Sequence, residues 1–160
     1  MFNLFKKKQE TVTELKAVVN GKAIALEEVP DEIFSSKALG DGIAFDAEDS
    51  VIVAPCDCTV VSMSEDMKHA VGLKLSNDME ILIHVGVDTV KLQGEGFKQL
   101  SREGAQVKTG DPLLQFDKET IRKNGLCDFV IMVITAEGDA TGCKFNTGNV
   151  TKGDSVVVQW

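Results

Sequence analysis

Hydrophobic and polar positions along the chain fall into short runs separated by turn residues, and only one segment reads as a helix. AVVNGKAIAL, GIAFDA, SVIV, CTVVSMS, HAVGLKLS, MEILIHVG, PLLQFD, DFVIMVIT and SVVVQW are rich in β-branched and aliphatic residues. Gly, Pro, Asn, Asp and Ser bound them, as expected for strands ended by turns. Asn20-Gly21 between two apolar runs predicts a tight hairpin, and Pro55 predicts a break between two strands. A helical turn or loop is expected around Pro30 to Phe34. DKETIRKNG is the one clear helix, with Asp117 as N-cap and Gly125 at its stop. Strands of this length, with turn signals about every 8–12 residues and almost no helix, predict an all-β antiparallel sandwich or barrel with one or two short helices.

The run Glu80 to Phe97, EILIHVGVDTVKLQGEGF, sets the most pointed question. Ile81, Leu82, Ile83 and Val85 suit a buried or half-buried strand, so the imidazole of His84 among them must be hydrogen-bonded or do chemistry. The chain has only one other histidine, His69. Between the two lies the turn signal Ser76-Asn77-Asp78. An even-numbered loop centred between Ser76 and Asn77 would set His69 directly across from His84, with Val71 opposite Leu82 as an apolar neighbour on the same face. An odd-numbered loop or a bulge would break that register.

Size and composition narrow the setting. The chain's 160 residues and 43% hydrophobic content fit one globular domain, expected over residues 15–160. No apolar run approaches the roughly 18 residues of a membrane span, and a cytoplasmic chain is expected. Residues 1–14 read as a flexible segment in which Phe2, Leu4 and Phe5 precede Lys6, Lys7 and Lys8, a pattern suited to weak contact with an anionic membrane. A net charge of −8 argues against nucleic acid and favours a basic protein partner. The four cysteines, Cys56, Cys58, Cys127 and Cys143, lack the spacing of a structural zinc site and read as small hydrophobes.

A neutral imidazole can carry a phosphoryl group, because one ring nitrogen is a free nucleophile while the other holds the proton. Such a site needs a group that fixes the tautomer, a donor near the phosphate oxygens and restricted water access. His84 as nucleophile, His69 as donor and Val71 with Leu82 as the dry surround meet these needs, except that the sequence does not identify the tautomer-fixing group. A histidine pair could also bind a metal.

IFSSKALGDGIAF, VIVAPCDCTV, KHAVGLK, ILIHVGVDTVKLQGEGF and EGAQVKTGDPLLQFD together resemble the glucose-type enzyme IIA domain of the bacterial sugar phosphotransferase system, from about Leu15 to Trp160. The resemblance implies a β-sandwich of the duplicated hybrid motif type. Such a domain accepts a phosphoryl group from the histidine-containing phosphocarrier protein and passes it to a cysteine of an enzyme IIB or IIBC protein during sugar uptake. Under this likeness His84 is the phosphorylated residue and His69 the supporting one. Asp31 and Asp88 match carboxylates that meet a partner arginine, and Ile33, Phe34, Leu39, Val71, Leu82 and Val90 match an apolar docking rim. The resemblance implies no required cofactor, although in some members a zinc ion bridges the site and a partner, which here would engage His69 and His84. The N-terminal segment resembles the membrane-touching tail of some members.

The chain departs from the family pattern at three places. Met67 stands where threonine is common, Cys127-Asp128-Phe129 replaces a Thr-Pro pair, and Cys58 replaces a glycine. One rival reading is a biotinyl or lipoyl carrier domain modified on Lys68, suggested by EGAQVKTGDPL and Met67-Lys68. A histidine follows that lysine where methionine is expected.

Overall fold

A computed structural model describes residues 11–160. Among them the chain forms fourteen strands in three antiparallel sheets, with two short helices. The largest sheet runs in the order β13 (Gly148–Val150), β2 (Gly21–Ala25), β3 (Gly42–Ala47), β11 (Val130–Ala136), β7 (Glu80–Val85), β6 (Ala70–Lys74), β5 (Cys58–Ser62) and β9 (Gln106–Val107). Of the two small sheets, one is β1 (Glu14–Lys16), β14 (Val156–Gln159) and β12 (Lys144–Phe145). The other is β4 (Val51–Val53), β10 (Pro112–Phe116) and β8 (Phe97–Gln99). Pro55 marks the point where the chain leaves one sheet at β4 and enters another at β5, as its missing N–H and fixed φ favour.

The alternation along β7 sorts its side chains into two compartments. Ile81, Ile83 and Val85 point into the main core, where Phe45, Ile52, Leu73, Leu114 and Phe116 join them. Full burial of each such side chain contributes roughly 1.5–3 kcal/mol. Leu82 and His84 face the other side and are half-buried. That outer face carries a second, smaller cluster of Ile24, Leu26, Val29, Phe34, Ala44, Val87, Ile131 and Val133. Helix α1 (Glu32–Ser35) delivers Phe34 to it. The Asp31 carboxylate caps α1 by accepting from the Ile33 N–H at 2.8 Å. Helix α2 (Lys118–Lys123) lies where the sequence predicts it. Asp117 accepts from the Glu119 N–H at 3.0 Å and the Thr120 hydroxyl at 2.8 Å, and Gly125 closes the helix with φ +73°.

The structure corrects three local expectations. The β6–β7 loop is odd-numbered: Leu75 N–H donates to Met79 O at 2.9 Å around Ser76, Asn77 and Asp78, with Asp78 left-handed at φ +69°. A three-residue loop that ends in a left-handed residue is a favoured hairpin closure. The register is therefore Ala70 opposite His84 and Val71 opposite Ile83, one step from the expected pairing. Val71 is consequently a core residue, 1% exposed, and does not stand beside the histidines as a rim or a dry surround.

Asn20-Gly21 does not form a hairpin either. β1 pairs with β14, and β2 pairs with β3 and β13. The Asn20 side chain is bonded to Asp49 and to the Lys152 N–H. Gly21, at φ +147°, lies where a Cβ would come within 2.2 Å of Asp46 O, so glycine here permits strand approach.

Val12 packs on the core and Trp160 N–H donates to Thr13 O at 3.1 Å, so the part of the expected N-terminal segment that is described is tied to the domain. The membrane-touching reading of Phe2 through Lys8 lies outside the described residues. No helix among the described residues is long and apolar enough to cross a membrane.

Candidate active site

His84 stands on the outer face of β7, between Ala70 on β6 and Ile131 on β11. Its small neighbour on one side leaves room for a second ring, and His69 fills it. His69 lies in the turn just before β6, where the Ala70 N–H donates to Met67 O, and its own carbonyl accepts from the Val85 N–H at 2.8 Å. The two imidazole centroids are 4.7 Å apart with the planes at 81°, an edge-on arrangement. The expected convergence of the histidines is thus present, although the turn outside the ladder produces it and a cross-strand pair does not. Phe34 lies 5.1 Å from His84, and Phe97 lies 6.3 Å from His69.

The hollow is asymmetric in access. His69 is 3% exposed, whereas His84 is half-buried and presents part of its ring to solvent. Burial disfavours charge on both rings and lowers both pKa values. His84 is pushed to about 4, first by burial and second by the His69 ring. The Gly86 carbonyl and the Asp31 and Asp88 carboxylates oppose that shift. Both rings are therefore neutral at pH 7, and a neutral imidazole has one donor and one acceptor nitrogen.

The group that fixes this choice is a backbone carbonyl. His84 Nδ1 lies 2.8 Å from Gly86 O. A carbonyl only accepts, so Nδ1 carries the proton and Nε2 is left with its lone pair free. Residue types along a strand cannot reveal such a contact, because it comes from the backbone. The only signal is the glycine two positions after the histidine, which here takes φ +79°.

The remaining expected site residues fall into two groups. Ile33, Leu39 and Val90 are exposed large hydrophobics at 56%, 43% and 56%, and Leu82 is half-buried. Asp31 and Asp88 lie within electrostatic reach of His84, and Asp88 is 3.9 Å from the Lys91 ammonium. Phe34 is 6% exposed and floors the hollow as part of the second cluster; Val71 is internal. Of the two departures nearest the histidines, Met67 is 45% exposed at the turn that presents His69. The other, Cys127-Asp128-Phe129, leads into β11. There the Asp128 carboxylate, its side chain 11% exposed, accepts from Arg122 Nε at 2.8 Å. That ion pair tethers the segment that leads into β11.

The match to known proteins is extensive. Residues 13–140 match the family model of the phosphoenolpyruvate-dependent sugar phosphotransferase system, EIIA 1. The chain belongs to this family. As an EIIA it is a phosphoryl-carrier component of sugar uptake, and the rival reading as a biotinyl or lipoyl carrier falls. Lys68 itself is half-buried, with its stem against Gly94.

This EIIA is 41% identical over 155 residues to the PTS system glucose-specific EIIA component of Bacillus anthracis, a match that covers 96% of this chain and 92% of that protein. It is 42% identical over 140 residues to the PTS system N-acetylglucosamine-specific EIICBA component of Klebsiella pneumoniae, covering 81% of this chain but only 21% of that one. Among solved structures, glucose permease IIA from Mycoplasma capricolum superposes with a TM-score of 0.84 at 32% identity, covering 91% of this EIIA and 94% of that chain.

Proposed function

We propose that this EIIA accepts its phosphoryl group on Nε2 of His84 and that His69 steadies the transferred oxygens. The observation that carries the reading is the Gly86 carbonyl at 2.8 Å from His84 Nδ1, which leaves Nε2 as the nucleophile beside the edge of the second imidazole. In the transfer the Nε2 lone pair attacks phosphorus in line. The bond to the donor nitrogen breaks, and its electron pair returns to the donor. Nε2 needs no deprotonation, since its proton is already on Nδ1. The second transfer reverses these roles, with an acceptor thiolate attacking the phosphorus on His84. The protein supplies position and electrostatics: a ring edge for the charged oxygens and an apolar floor at Phe34 that limits water.

The donor is the histidine-containing phosphocarrier protein, and the acceptor is an enzyme IIB domain, alone or within an IIBC transporter. Exposed Ile33, Leu39 and Val90 with half-buried Leu82 form the apolar contact, and Asp31 with Asp88 meets a cationic side chain of the donor. Such a rim around a charged centre suits a brief, electrostatically steered encounter, which the net charge of −8 favours with a basic partner. The likeness to glucose-specific relatives supports glucose-type sugars as those served. A zinc ion at the interface would take nitrogen donors from His69 and His84. Among the described residues no third His, Cys, Asp or Glu joins them, so its remaining ligands would come from the partner.

The test uses purified, phosphorylated carrier and enzyme IIB. His84→Gln should take up no phosphate. His69→Gln should still take up phosphate and pass it on poorly. Normal labelling of His84→Gln would overturn the assignment.

A further inference from the structure

The carbonyl that holds the His84 proton belongs to a peptide unit that is itself clamped, and one buried side chain closes the clamp. A trans peptide is planar, so the C=O of Gly86 and the N–H of Val87 point in opposite directions. The Val87 N–H donates to Cys127 O at 3.1 Å and the preceding Gly86 N–H to Phe129 O at 2.7 Å, which turns the Gly86 carbonyl toward His84 Nδ1. Thr89 then packs on the other side of this turn. It is fully buried, and its hydroxyl donates to Val85 O at 2.5 Å. Its methyl carbon sits where a Cβ on Gly86 would fall, 2.4 Å from that position.

Val85 and Gly86 are the two residues that follow His84, so Thr89 grips the chain between the imidazole and the carbonyl that orients it. The grip matters because the backbone here is far from relaxed strand geometry: Gly86 has φ +79° and Asp88 has φ +60°. No element of the sheet ladder imposes those angles, since β7 ends at Val85.

We propose that Thr89 is a positioning residue for phosphoryl transfer: by holding the Val85–Val87 turn it keeps the Gly86 carbonyl on His84 Nδ1 and so keeps Nε2 unprotonated. The inference rests on the reading of His84 as the phosphoryl acceptor. Neutral imidazole in water prefers its proton on Nε2. A loosened turn therefore lets His84 revert to a form whose outward nitrogen carries a proton and cannot attack. Thr89 acts through Gly86, because its own side-chain hydrogen bond goes to Val85.

The experiment compares the full chain with Thr89→Val and Thr89→Ser. Imidazole ¹⁵N chemical shifts at pH 7 report the tautomer, and the initial rate of labelling by phosphorylated carrier reports function. The unmodified protein should show His84 wholly as the Nδ1–H form. Thr89→Val keeps the shape but removes the hydroxyl; it should show a mixture containing the Nε2–H form and label roughly five- to tenfold more slowly, the equivalent of one neutral hydrogen bond. Thr89→Ser keeps the donor and should retain both the tautomer and a rate within about twofold of the unmodified protein.

A pure Nδ1–H signal in Thr89→Val would overturn the proposal. So would loss of that signal in Thr89→Ser, which holds even if the valine variant fails to fold. Either result leaves the assignment of His84 standing if the unmodified protein is labelled and His84→Gln is not. Labelling of His84→Gln would sink the assignment whatever the tautomer.

Discussion

The neutral histidine pair predicts how stability depends on acidity. The His84 pKa falls from 6.5 to about 4 on folding, chiefly through burial and secondarily through the neighbouring His69 ring. A group whose native pKa is depressed takes up a proton on unfolding wherever the pH lies between the two values. Stability from this source is therefore whole above pH 6.5 and is lost as the pH falls toward 4. At ~1.36 kcal/mol per pKa unit the loss reaches about 3 kcal/mol, and partial exposure of the ring trims it toward ~2 kcal/mol.

Urea unfolding of the unmodified protein and His84→Gln at stepped pH values isolates this contribution. The unmodified protein should lose about 2–3 kcal/mol more than the variant between pH 7 and pH 4. The His84 Cε1 proton should show no titration step near pH 6.5. Parallel stability curves, or an imidazole titrating near 6.5, would refute the claim that the hollow desolvates its nucleophile. Replacement of His69 by Gln removes the second cause while leaving burial, so the His84 pKa in that variant should rise only part of the way back.

Other consequences follow from the surroundings of the pair. Arg122→Gln leaves the Asp128 carboxylate, whose side chain is 11% exposed, without its partner; thermal unfolding should report a loss of about 1–3 kcal/mol. Phe34→Ala opens the apolar floor, should cost about 3–5 kcal/mol, and should speed hydrolysis of phosphorylated protein followed by ³¹P NMR. Val90→Asp alters an exposed rim position, so stability should change by no more than about 0.5 kcal/mol while phosphate uptake from the carrier slows. Val71→Asp, by contrast, buries a charge in the main core and should abolish folding, read by circular dichroism. Asp31→Asn with Asp88→Asn should reduce the association rate with the carrier at low salt and flatten its salt dependence in stopped-flow mixing.

The strands were legible because burial on one face leaves a period of two in the residue types. β7 alternates in this way, β11 is buried on both faces and reads instead as a continuous apolar run, and the helix after Asp117 is legible from its cap. The sequence also brings His69 and His84 together, but through an even-numbered loop, whereas the structure pairs Ala70 with His84. Register depends on one φ angle, that of Asp78, and aspartate tolerates the left-handed region without announcing it. The same slip by one step moves Val71 from the expected rim to the core: in a strand a single register unit exchanges the inside for the outside. Asn20-Gly21 misled because the glycine answers a steric demand from Asp46 across the sheet, which no local pattern encodes. The Gly86 carbonyl and its Thr89 clamp were invisible for a related reason. The carbonyl takes its direction from backbone acceptors at Cys127 and Phe129, more than forty positions away along the chain, and Thr89 acts on it through the main-chain oxygen of Val85.

The pairing of β1 with β14 has an architectural consequence. Glu14 lies opposite Gln159, and the amide of Trp160 reaches the carbonyl of Thr13. Any polypeptide joined before residue 13 or after residue 160 must depart from one shared seam, in a sheet that does not contain the histidines. A module wired in this manner can be soldered to a neighbour by either lead, or have its leads joined and be cut open elsewhere, without disturbing its circuit. The relative of which this domain spans only a fifth illustrates how such a component is carried inside a larger machine.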